Sequence, residues 1–532
     1  MYIIPLYIII DTSALRSMSQ SPKKRGRGKE YGTWTVEDFT PPTTSFNQKY
    51  CGVRERRNLN ITSPFEAVKL IWSAEVWQQI VDSTNARGGS KLPGWGADNI
   101  IEQPDGQYDS ENDVEEEAVS RYSDADNDVS DEDEDESAEE YEAPNSSWKP
   151  LTVQELQVWF GILLSMGLCP QPALRDYWQK EETSNGLFGN SFIKKSGMSR
   201  DRWLSIRRYL FCDVDWLTQQ TQDASQKIWR LYPYVAIDET LLLFKGRFKY
   251  RQHIKGKPNA TGLKIYALCD NTGFIYAFWF YKGDHPTTHD LVWQFAEQVK
   301  HFKDDIIIVL DSFYGGYDIM ETLKDNGFKF IMACQQNRPT AIWANLMTVK
   351  TKGEWESLVK HKVMALKFID KKAVCLFSNC SSSEAVVTTK RKKKRTIPSV
   401  VNDYNHWMHG VDLADRYINA HLPRHKTLSW KRAMFQGLFY IMITNAHLVY
   451  NSAADKDYSL TQFVAELAQQ LAPEVKKSPV KINSRHIICR ADGLRKHCML
   501  CSENNKQSYS VYYCPTCNAF LHADCFADYH NK

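Results

Sequence analysis

The 532-residue sequence lacks a secretory signal peptide and a hydrophobic run long enough to cross a membrane. Residues 1–10 are apolar, but they have no basic stretch before them and no credible cleavage site after them. They are also too short to span a bilayer. We therefore expect a chain that is neither exported nor inserted in a membrane, which excludes a disulfide framework for its 13 cysteines. No internal repeat is found, which excludes repeat architectures.

Excess charge of either sign is also absent, since the formal net charge is only +2. This balance hides a strong segregation, because residues 105–142 hold 19 acidic residues and one basic residue. The remainder has 65 basic and 45 acidic residues, a balance of +20 that suits a polyanionic partner. The acidic tract is expected to be disordered. It is either a solvated spacer or a DNA mimic that competes for the protein's own basic groove.

The length favours several folding units, and the composition is that of a globular protein. The basic run at 22–29 (PKKRGRGK) is interpreted as a nuclear localisation signal or a solvated tail. The run at 390–395 (KRKKKR) is interpreted as a second import signal, a DNA contact or a solvated loop. Apolar residues at helical spacing predict a helix over residues 65–85.

A helical region is predicted from residue 148 onward. Thr152 and Glu155 form a capping-box pattern ahead of an apolar helix over 156–168. A second helix is predicted over 199–211, and it carries four arginines: Arg200, Arg202, Arg207 and Arg208. This region is either a platform that contacts DNA or forms a dimer, or a set of helices with an ordinary exposed basic face.

Strands follow from residue 234. Runs at 234–244, 263–269 and 274–281 predict three strands, and Asp270-Asn271-Thr272-Gly273 predicts a hairpin turn between the last two. A helix over 289–301, a buried strand over 306–310, a helix over 316–325 and a strand over 328–334 follow. This order is that of a ribonuclease H-like core, an antiparallel layer extended by parallel strands, and it predicts an α/β multidomain protein.

Acidic residues occupy notable positions in this order. Asp238 lies within a strand, where a carboxylate is costly without compensation, and Asp311 ends the buried strand. Asp412 and Asp415 are three residues apart, which places them on one face of a helix. Three converging carboxylates would hold the divalent ions of phosphodiester chemistry, and Mg²⁺ prefers such oxygen ligands. Each residue also has a plain alternative: a helix cap for Asp311, helix-dipole charges for Asp412 and Asp415, and a salt-bridged core acid for Asp238.

Basic residues surround the first of these acids: Lys245, Arg247, Lys249, Arg251, Lys255, Lys257 and Lys264. They neutralise phosphates beside a cleavage site, or they form an exposed solvated strand face.

The C-terminal segment is rich in cysteine and histidine. The pattern is Cys498-x2-Cys501-x12-Cys514-x2-Cys517-x4-His522-x2-Cys525-x4-His530. Paired thiolates and imidazoles at this spacing predict structural Zn²⁺, which would supply the folding free energy of so short a segment. Seven ligands are one short of two complete sites, and His497, Cys489 and Asp524 are candidates for the eighth. The segment is either a DNA-binding module, as Arg490, Arg495, Lys496 and Lys506 favour, or a zinc module that reads histone tails.

Several motifs resemble those of the piggyBac transposase family. They are residues 236–247 (AIDETLLLFKGR), 257–270 (KPNATGLKIYALCD), 309–313 (VLDSF), 410–415 (GVDLAD), 174–178 (LRDYW) and 198–208. The resemblance covers roughly 65–85 and 148–530. It implies Asp238, Asp311 and Asp412 as a catalytic triad bound to Mg²⁺, with Asp415 as an accessory acid. It implies a homodimer in the nucleus that binds terminal inverted repeats and transposes DNA through hairpinned ends into TTAA targets.

The resemblance also implies how the zinc ligands alternate and how the chain is divided. A cross-brace would pair Cys498 and Cys501 with His522 and Cys525, and Cys514 and Cys517 with His530. The predicted division is a disordered basic N-terminus (1–64), a helical segment (65–103), the disordered acidic tract (104–147), a helical dimerisation and DNA-binding domain (148–233), the catalytic core (234–334 and 401–455) interrupted by an insertion domain (335–400), a linker (456–488) and a zinc-binding domain (489–532).

One departure from the family lies between residues 211 and 236, where the chain is shorter than its relatives and an additional helix is expected to be missing. Three functions are therefore compared. The first is an active transposase with intact acids. The second is a domesticated, catalytically inactive DNA-binding protein, and the third is a zinc-dependent chromatin interaction protein.

Overall fold

The computed structural model describes residues 39–41, 51–54, 61–89, 148–179, 191–254, 261–283, 286–335, 343, 346–390, 393–423, 429–475, 486–491 and 493–531. The predicted import signal at 22–29, the acidic tract, Lys255 and Lys257 lie outside these residues. The chain divides into two compact units, unit 1 (Met1–Pro473) and unit 2 (Glu474–Lys532). No helix in the described ranges is both long and apolar enough to cross a membrane.

The helices of unit 1 are numbered in chain order. They are α1 (Pro64–Ile71), α2 (Ala74–Gly89), α3 (Val153–Leu168), α4 (Ser191–Lys195), α5 (Arg200–Tyr209), α6 (Val214–Ile228), α7 (Thr288–Gln298), α8 (Tyr317–Asp325), α9 (Ser399–Trp407), α10 (Gly410–Asn419), α11 (Trp430–Ala454) and α12 (Leu460–Leu471). Short 3-10 helices cover Leu174–Trp178 and Lys300–Phe302.

The strands of unit 1 are β1 (Gly52–Val53), β2 (Trp229–Arg230), β3 (Tyr234–Leu243), β4 (Gln252–His253), β5 (Thr261–Asp270), β6 (Ile275–Phe280), β7 (Ile307–Leu310), β8 (Lys329–Cys334), β9 (Trp355–Lys360), β10 (Val363–Ile369), β11 (Ala373–Ser378), β12 (Ala385–Lys390) and β13 (Lys393–Pro398). The central sheet has the order β4-β5-β3-β7-β8-β11-β10-β9, and β6 also pairs with β5. β3, β5 and β6 are antiparallel, whereas β7 and β8 run parallel to β3. This is the predicted antiparallel layer extended by parallel strands.

The predicted insertion domain contributes to this sheet. β11 pairs antiparallel with β8, and β10 and β9 continue the sheet beyond it. Among the described residues of the segment, β12 and β13 alone form a separate hairpin. Residues 335–400 are therefore inserted between β8 and α9 in chain order, but their first three strands satisfy the free edge of β8 rather than building a sheet of their own.

The helix predicted over 65–85 is two helices. α1 ends at Ile71, and Trp72 has an extended backbone. The Trp72 indole is fully buried and donates a hydrogen bond from Nε1 to the hydroxyl of Thr221 at 2.9 Å. Burying this ring and satisfying its N–H group favour the break, which hydrophobic periodicity does not reveal.

The start of α3 corrects the predicted capping box. The hydroxyl of Thr152 accepts the backbone N–H of Glu155 at 3.1 Å, as expected of an N-cap. The Glu155 carboxylate instead binds Arg202 in α5, with a 2.6 Å contact to Nε. Arg202 thus joins two helices and is not a freely exposed basic residue.

The short segment between residues 211 and 236 contains a complete helix. α6 begins after Asp213, whose carboxylate accepts the backbone N–H groups of Asp215 and Trp216. Gln222 in α6 accepts the backbone N–H of Phe278 in β6, so the helix is fixed to the edge of the sheet. The segment is thus not devoid of helix, and the expectation that it lacks a further helix of the family stays a prediction.

Two predicted boundaries also change. The segment 456–488 was predicted to be a linker, yet α12 lies within it and buries Phe463, Val464 and Leu467. Part of the predicted disordered N-terminus is ordered, because β1 pairs with β2 and Val53 is buried. β1 is only two residues long, and its partner β2 lies more than 150 residues away in the sequence.

Unit 2 is built from small elements. They are β14 (Cys489–Arg490), β15 (Lys496–His497), α13 (Met499–Glu503), β16 (Tyr509–Ser510), β17 (Tyr512–Cys514), β18 (Ala519–Phe520) and α14 (Ala523–His530). β14, β17 and β18 form one sheet, and β15 pairs with β16. The buried cluster contains only Cys498, Leu500, Ala519 and Leu521, which is little core for a folded unit.

Candidate active site and Cys/His clusters

Asp238 and Asp311 lie beside each other on adjacent parallel strands. The ladder between β3 and β7 ends with the pair Ile237 and Leu310, and the two aspartates follow directly. Since paired residues share a face and successive residues alternate, both carboxylates lie on the face opposite to that pair. Burial and the negative charges of Asp311 and Asp238 raise the pKa of Tyr404 in α9, so this phenol lies near both.

The carboxylate of Asp311 is fixed by the turn that follows β7. Its Oδ1 accepts the backbone N–H of Phe313 at 2.8 Å and of Tyr314 at 3.3 Å. Helix α8 begins only at Tyr317, after Gly316, so Asp311 does not cap that helix. The alternative role of Asp311 as the N-cap of the following helix is therefore excluded. Oδ1 of Asp238 likewise accepts a backbone N–H, from Glu239 at 2.8 Å.

Helix α10 brings the other two acids to this region. Its first residue, Gly410, packs so closely on the turn between β5 and β6 that a Cβ atom would lie 2.7 Å from the carbonyl oxygen of Asp270. Asp415 accepts a hydrogen bond from the hydroxyl of Thr240 in β3 and another from Asn419 at 3.0 Å. Because Thr240 is two residues beyond Asp238 in the same strand, it lies on the same face.

Asp412 has a different environment. Its side chain is 57% exposed, and Oδ2 lies 3.3 Å from Nδ1 of His409. It lines a surface cleft together with Asn271, His406 and Arg416. In the described parts of the chain, sets of three or more His, Cys, Asp and Glu ligand atoms within 4.8 Å of one another occur only as two Cys/His groups in unit 2. The four acids of unit 1 do not form so tight a set.

Two residues, Glu239 on the opposite face of β3 and Tyr314 in the turn after β7, were not identified as site residues from the sequence. The hydroxyl of Tyr314 donates a hydrogen bond to the carboxylate of Glu239. Burial and the Glu239 charge raise the pKa of Tyr314, so the phenol stays protonated as a donor. This contact joins the residue after Asp238 to the turn after Asp311. In the sequence, the only indication of this hydrogen bond was a glutamate directly after the aspartate of the strand.

The predicted basic residues play unequal roles. Lys245 and Arg247 are exposed after β3, as a phosphate contact requires. Arg251 donates to the carbonyl oxygens of Lys245 and Gly246 and so braces the loop. Lys264 in β5 lies 4.6 Å from the ring centroid of Tyr266.

Unit 2 holds two groups of metal-ligand side chains. The first contains Cys498, Cys501, His522 and Cys525, and the second contains His486, Cys514, Cys517 and His530. In each group the ligand atoms lie within 4.8 Å of one another. The structure thus brings the seven predicted ligands together in the alternating pairs that the resemblance implies.

His486 completes the second group, and this corrects the predicted eighth ligand. Its Nδ1 lies 3.2 Å from the sulfur of Cys517 and 3.5 Å from that of Cys514. The earlier candidate His497 instead packs on the ring of Tyr509, at 4.0 Å between centroids. Neither it nor Cys489 or Asp524 joins a group. His486 is a lone histidine well ahead of the first cysteine pair, in the segment predicted to be a linker, so spacing gave no signal.

The surrounding contacts orient the histidines for a metal. Nε2 of His522 lies 3.0 Å from the hydroxyl of Ser508, while Nδ1 faces the sulfur of Cys501 at 3.4 Å. Nδ1 of His530 donates to the carbonyl oxygen of Phe526 at 2.7 Å, while Nε2 faces Cys517. Such second contacts fix the tautomer of a metal-binding imidazole.

Cys498 is suited to act as a thiolate. Burial acts to raise the pKa of Cys498, but backbone hydrogen bonds from Cys501 and His522 and contacts with neighbouring thiols bring it down to about 7. The donor sets, three sulfurs with one imidazole and two sulfurs with two imidazoles, fit a tetrahedral ion of the zinc type.

Comparisons with known proteins agree with this architecture. A family model described as Transposase IS4 matches residues 63–447. The human PiggyBac transposable element-derived protein 3 is 22% identical over 434 residues, covering 72% of this chain and 71% of the relative. The human PiggyBac transposable element-derived protein 2 is 24% identical over 431 residues, covering 71% and 70%.

A solved structure shares the fold. It is a piggyBac transposase in a synaptic complex with hairpin DNA, determined by cryo-EM, with a TM-score of 0.62 and 18% identity. The match covers 89% of this chain and 97% of the other. Because the family model spans well over half of the sequence and includes the strands and helices that carry all four acids, the chain belongs to the transposase family, among the piggyBac-related members.

Proposed function

We propose that the chain is a metal-dependent DNA transposase of the piggyBac type, which cleaves DNA strands and joins them to new sites. One observation carries the proposal: Asp238 and Asp311 follow the last paired residues of two adjacent parallel strands and lie on the same face. Helix α10, which carries Asp412 and Asp415, adds the Asp415 carboxylate at that face. These positions support the ribonuclease H-like core predicted from the order of strands and helices.

The residues at this edge fit small divalent cations. Asp238, Asp311 and Asp412 would hold Mg²⁺, with Asp415 as the accessory acid, because carboxylate oxygens are its preferred ligands. Adjacent, partly buried carboxylates also need a positive charge nearby to offset their repulsion and desolvation. When bound, a pair of ions supplies charge stabilisation for the attacking and leaving oxygens of an in-line displacement at phosphorus.

The chain's own residues contribute positioning. The backbone N–H groups of Phe313 and Tyr314 hold the Asp311 carboxylate, and Glu239 does the same for Asp238. Thr240 and Asn419 hold Asp415 against β3. These contacts fix the acids before substrate binds, which is the condition for efficient electrostatic catalysis.

The substrate we propose is DNA that carries terminal inverted repeats, inserted at TTAA targets by a homodimer in the nucleus. Lys245, Arg247 and Lys264, with Lys255 and Lys257 outside the described residues, would neutralise phosphates next to the cut. Unit 2 would bind two Zn²⁺ ions and contact the DNA ends, as the Cys/His groups and basic residues such as Arg495 and Lys496 favour.

The test is strand cleavage and joining by the full chain on DNA taken from the ends of its own element, with Mg²⁺. We expect wild-type protein to nick the ends and transfer them, and Asp311→Ala to lose at least about a thousandfold in rate. The matched control is Asp325→Ala, since that residue is 68% exposed at the last position of α8. Equal activity of wild type and Asp311→Ala would refute the proposal.

A second candidate is a DNA-binding protein without catalysis. The names of the two human relatives describe proteins derived from a transposable element, and such derivatives need only keep DNA recognition. This candidate predicts salt-sensitive DNA binding that survives Asp311→Ala, is lost on zinc chelation, and is not accompanied by strand cleavage in the wild type.

A further inference from the structure

Phe313 is an aromatic residue presented to solvent beside the proposed catalytic carboxylate of Asp311. Its backbone N–H is bound by the carboxylate of Asp311 at 2.8 Å, so the two residues belong to one turn. The ring is nevertheless 48% exposed, while that of the next residue, Tyr314, is 1% exposed. Its exposure in the turn that holds the Asp311 carboxylate leaves the ring available for contact with a ligand.

The turn that carries Phe313 is braced on several sides. The ring of Tyr314 packs edge-on against that of Phe313, with 5.0 Å between centroids, and its hydroxyl binds Glu239. The backbone N–H of Gly315 binds the carbonyl oxygen of Asp311 at 2.9 Å. A Cβ atom on Gly315 would lie 1.8 Å from the carbonyl oxygen of Ala333, so the chain passes β8 too closely for any other residue. The exposed ring therefore projects from a fixed backbone.

A cation accompanies the ring. Nζ of Lys264 lies 6.0 Å from the centroid of Phe313 and 4.6 Å from that of Tyr266. Lys264 pairs with Leu241 in the ladder between β3 and β5, so it lies on the face of the sheet that carries Glu239, opposite to the Asp238 side chain, and approaches the turn of Phe313 from that face. A ring that can stack on a base, next to an ammonium group that can bind a phosphate, is the arrangement by which proteins hold unpaired nucleotides.

We propose that Phe313 stacks on an unpaired base of the DNA next to the phosphate being cut, while Lys264 contacts the phosphate of that nucleotide. This inference rests on the proposed function. Its role is to hold the strand open at the cleavage site, because a base withdrawn from the duplex lets the backbone enter a cleft that the intact helix does not fit. The cost of unpairing is offset by stacking on the ring.

The experiment uses DNA ends with 2-aminopurine next to the cleavage position and Ca²⁺ in place of Mg²⁺, so that binding occurs without reaction. Wild-type protein should change the fluorescence, as the base leaves the duplex and stacks on Phe313. Phe313→Ala should bind the same DNA without this change, and Phe313→Tyr should restore it. Val387→Ala, at a 68% exposed position in β12, is the control for loss of an exposed apolar side chain.

Cleavage provides a second readout with Mg²⁺. We expect Phe313→Ala to cut fully paired ends about tenfold more slowly, in line with the loss of one stacked base. The rate should return to within about threefold of wild type when the substrate has an unpaired base at that position, because the variant then no longer has to open the duplex. A merely structural role for Phe313 would not be rescued by a change in the DNA.

The inference is overturned if Phe313→Ala keeps the wild-type fluorescence change, or if it is as slow on unpaired as on paired DNA. Failure of the proposed function is a separate result, since it appears as absence of cleavage by wild type on both substrates. In that case the fluorescence measurement still tests whether Phe313 stacks on the base, because it requires DNA binding and no cleavage.

Discussion

The hydroxyl group of Thr240 in β3 donates a hydrogen bond to the carboxylate of Asp415 in α10. Thr240 is 2% exposed and lies two residues beyond Asp238 on the same face of the strand. The contact therefore fixes the helix that carries two of the four acids to the strand that carries the first. Asn419 adds a second hydrogen bond to the same carboxylate, one turn later in α10.

Replacing Thr240 by valine tests this contact, because the side chains are nearly isosteric and only the hydroxyl is lost. We expect Thr240→Val to slow strand cleavage by about tenfold, since a partly buried carboxylate without its donor costs about 1–3 kcal/mol. DNA affinity should not change. Single-turnover cleavage and binding measured on the same DNA ends separate the two effects.

Thr444→Val is the matched control, as its buried hydroxyl donates to the carbonyl oxygen of Tyr440 within α11. It should leave cleavage unchanged. If Thr240→Val and Thr444→Val slow cleavage by the same factor, the loss of a buried hydroxyl acts through the stability of the fold. The contact with Asp415 then has no specific role in cleavage.

Removal of zinc should unfold unit 2 alone. Its buried cluster has four residues, so the two Cys/His groups must supply most of its stability, whereas unit 1 has a large core of its own. We expect a strong chelator to abolish hydrogen-exchange protection in residues 486–531 and to leave the protection of β3, β7 and α11 intact. Loss of protection in both units together would contradict this.

The same unit allows a test of the corrected ligand. His486→Ala should lower the zinc content from about two ions to about one per chain, because it removes one of four ligands from the second group. His497→Ala is the control and should retain both ions, since its ring packs on Tyr509. Metal analysis after gel filtration gives the ratio, and equal content in both variants would contradict the assignment.

Sequence patterns predicted the parts of the site that depend on local features. A continuous apolar run predicts the buried strand β7, and the aspartate that ends it must lie at the sheet edge next to β3. The turn at Asp270-Asn271-Thr272-Gly273 is found as expected, with Gly273 at a φ of +86°. The zinc ligand pairs were likewise visible in their spacing.

The remaining features depend on contacts between distant segments, which local patterns do not encode. The pairing of β11 with β8 joins the predicted insertion domain to the central sheet, although the strands themselves look like any antiparallel meander. Tyr404 reaches the aspartates only because α9 packs across the sheet. His486 carries no spacing signal at all. By contrast, α12 had a signal, since Ser459 and Gln462 form a capping box before a helical apolar stripe.

The exposed basic residues after β3 should govern the salt dependence of DNA binding. For duplex DNA the slope of log K against log salt falls by about 0.9 for each phosphate contact removed. We therefore expect Arg247→Ala to reduce the slope by about one, and Lys371→Ala, in the exposed turn between β10 and β11, to leave it unchanged. Binding titrations over a range of KCl give both slopes, and equal slopes would remove Arg247 from the DNA contact.

Asp270 should have a structural role, and its replacement by asparagine should lower the free energy of unfolding. It is fully buried, and one oxygen accepts from Thr272 while the other accepts from Nε1 of Trp229 at 2.8 Å and the backbone N–H of Tyr232. Asp270→Asn would place an NH₂ group against donors on one side, at a cost of about 1–3 kcal/mol in the free energy of unfolding. Asp305→Asn, which breaks an exposed ion pair with Arg230, should cost less than about 1 kcal/mol in the same denaturant titration.

His447 should make the stability of unit 1 fall as the pH is lowered. It is 4% exposed in α11, and its Nε2 binds the carbonyl oxygen of Tyr458 at 2.6 Å. Burial lowers its pKa below the usual 6.5, while the contact with Tyr458 and the charge of Asp457 act in the other direction without cancelling the effect.

Because the folded-state pKa is the lower one, the stabilisation by neutral His447 is fully present above pH 6.5. It is lost as the pH falls from there through the folded-state value, since the unfolded chain takes up the proton first. We expect the free energy of unfolding of unit 1, measured by urea titration at several pH values, to decline over this window in the wild type. The decline should be shallower in His447→Gln, whose amide keeps a donor for Tyr458 but does not titrate. At pH 8 His447 is neutral, so His447→Gln changes the free energy of unfolding only through packing and the hydrogen-bond donor. If that difference between the two proteins stays constant as the pH falls, other groups cause the pH dependence.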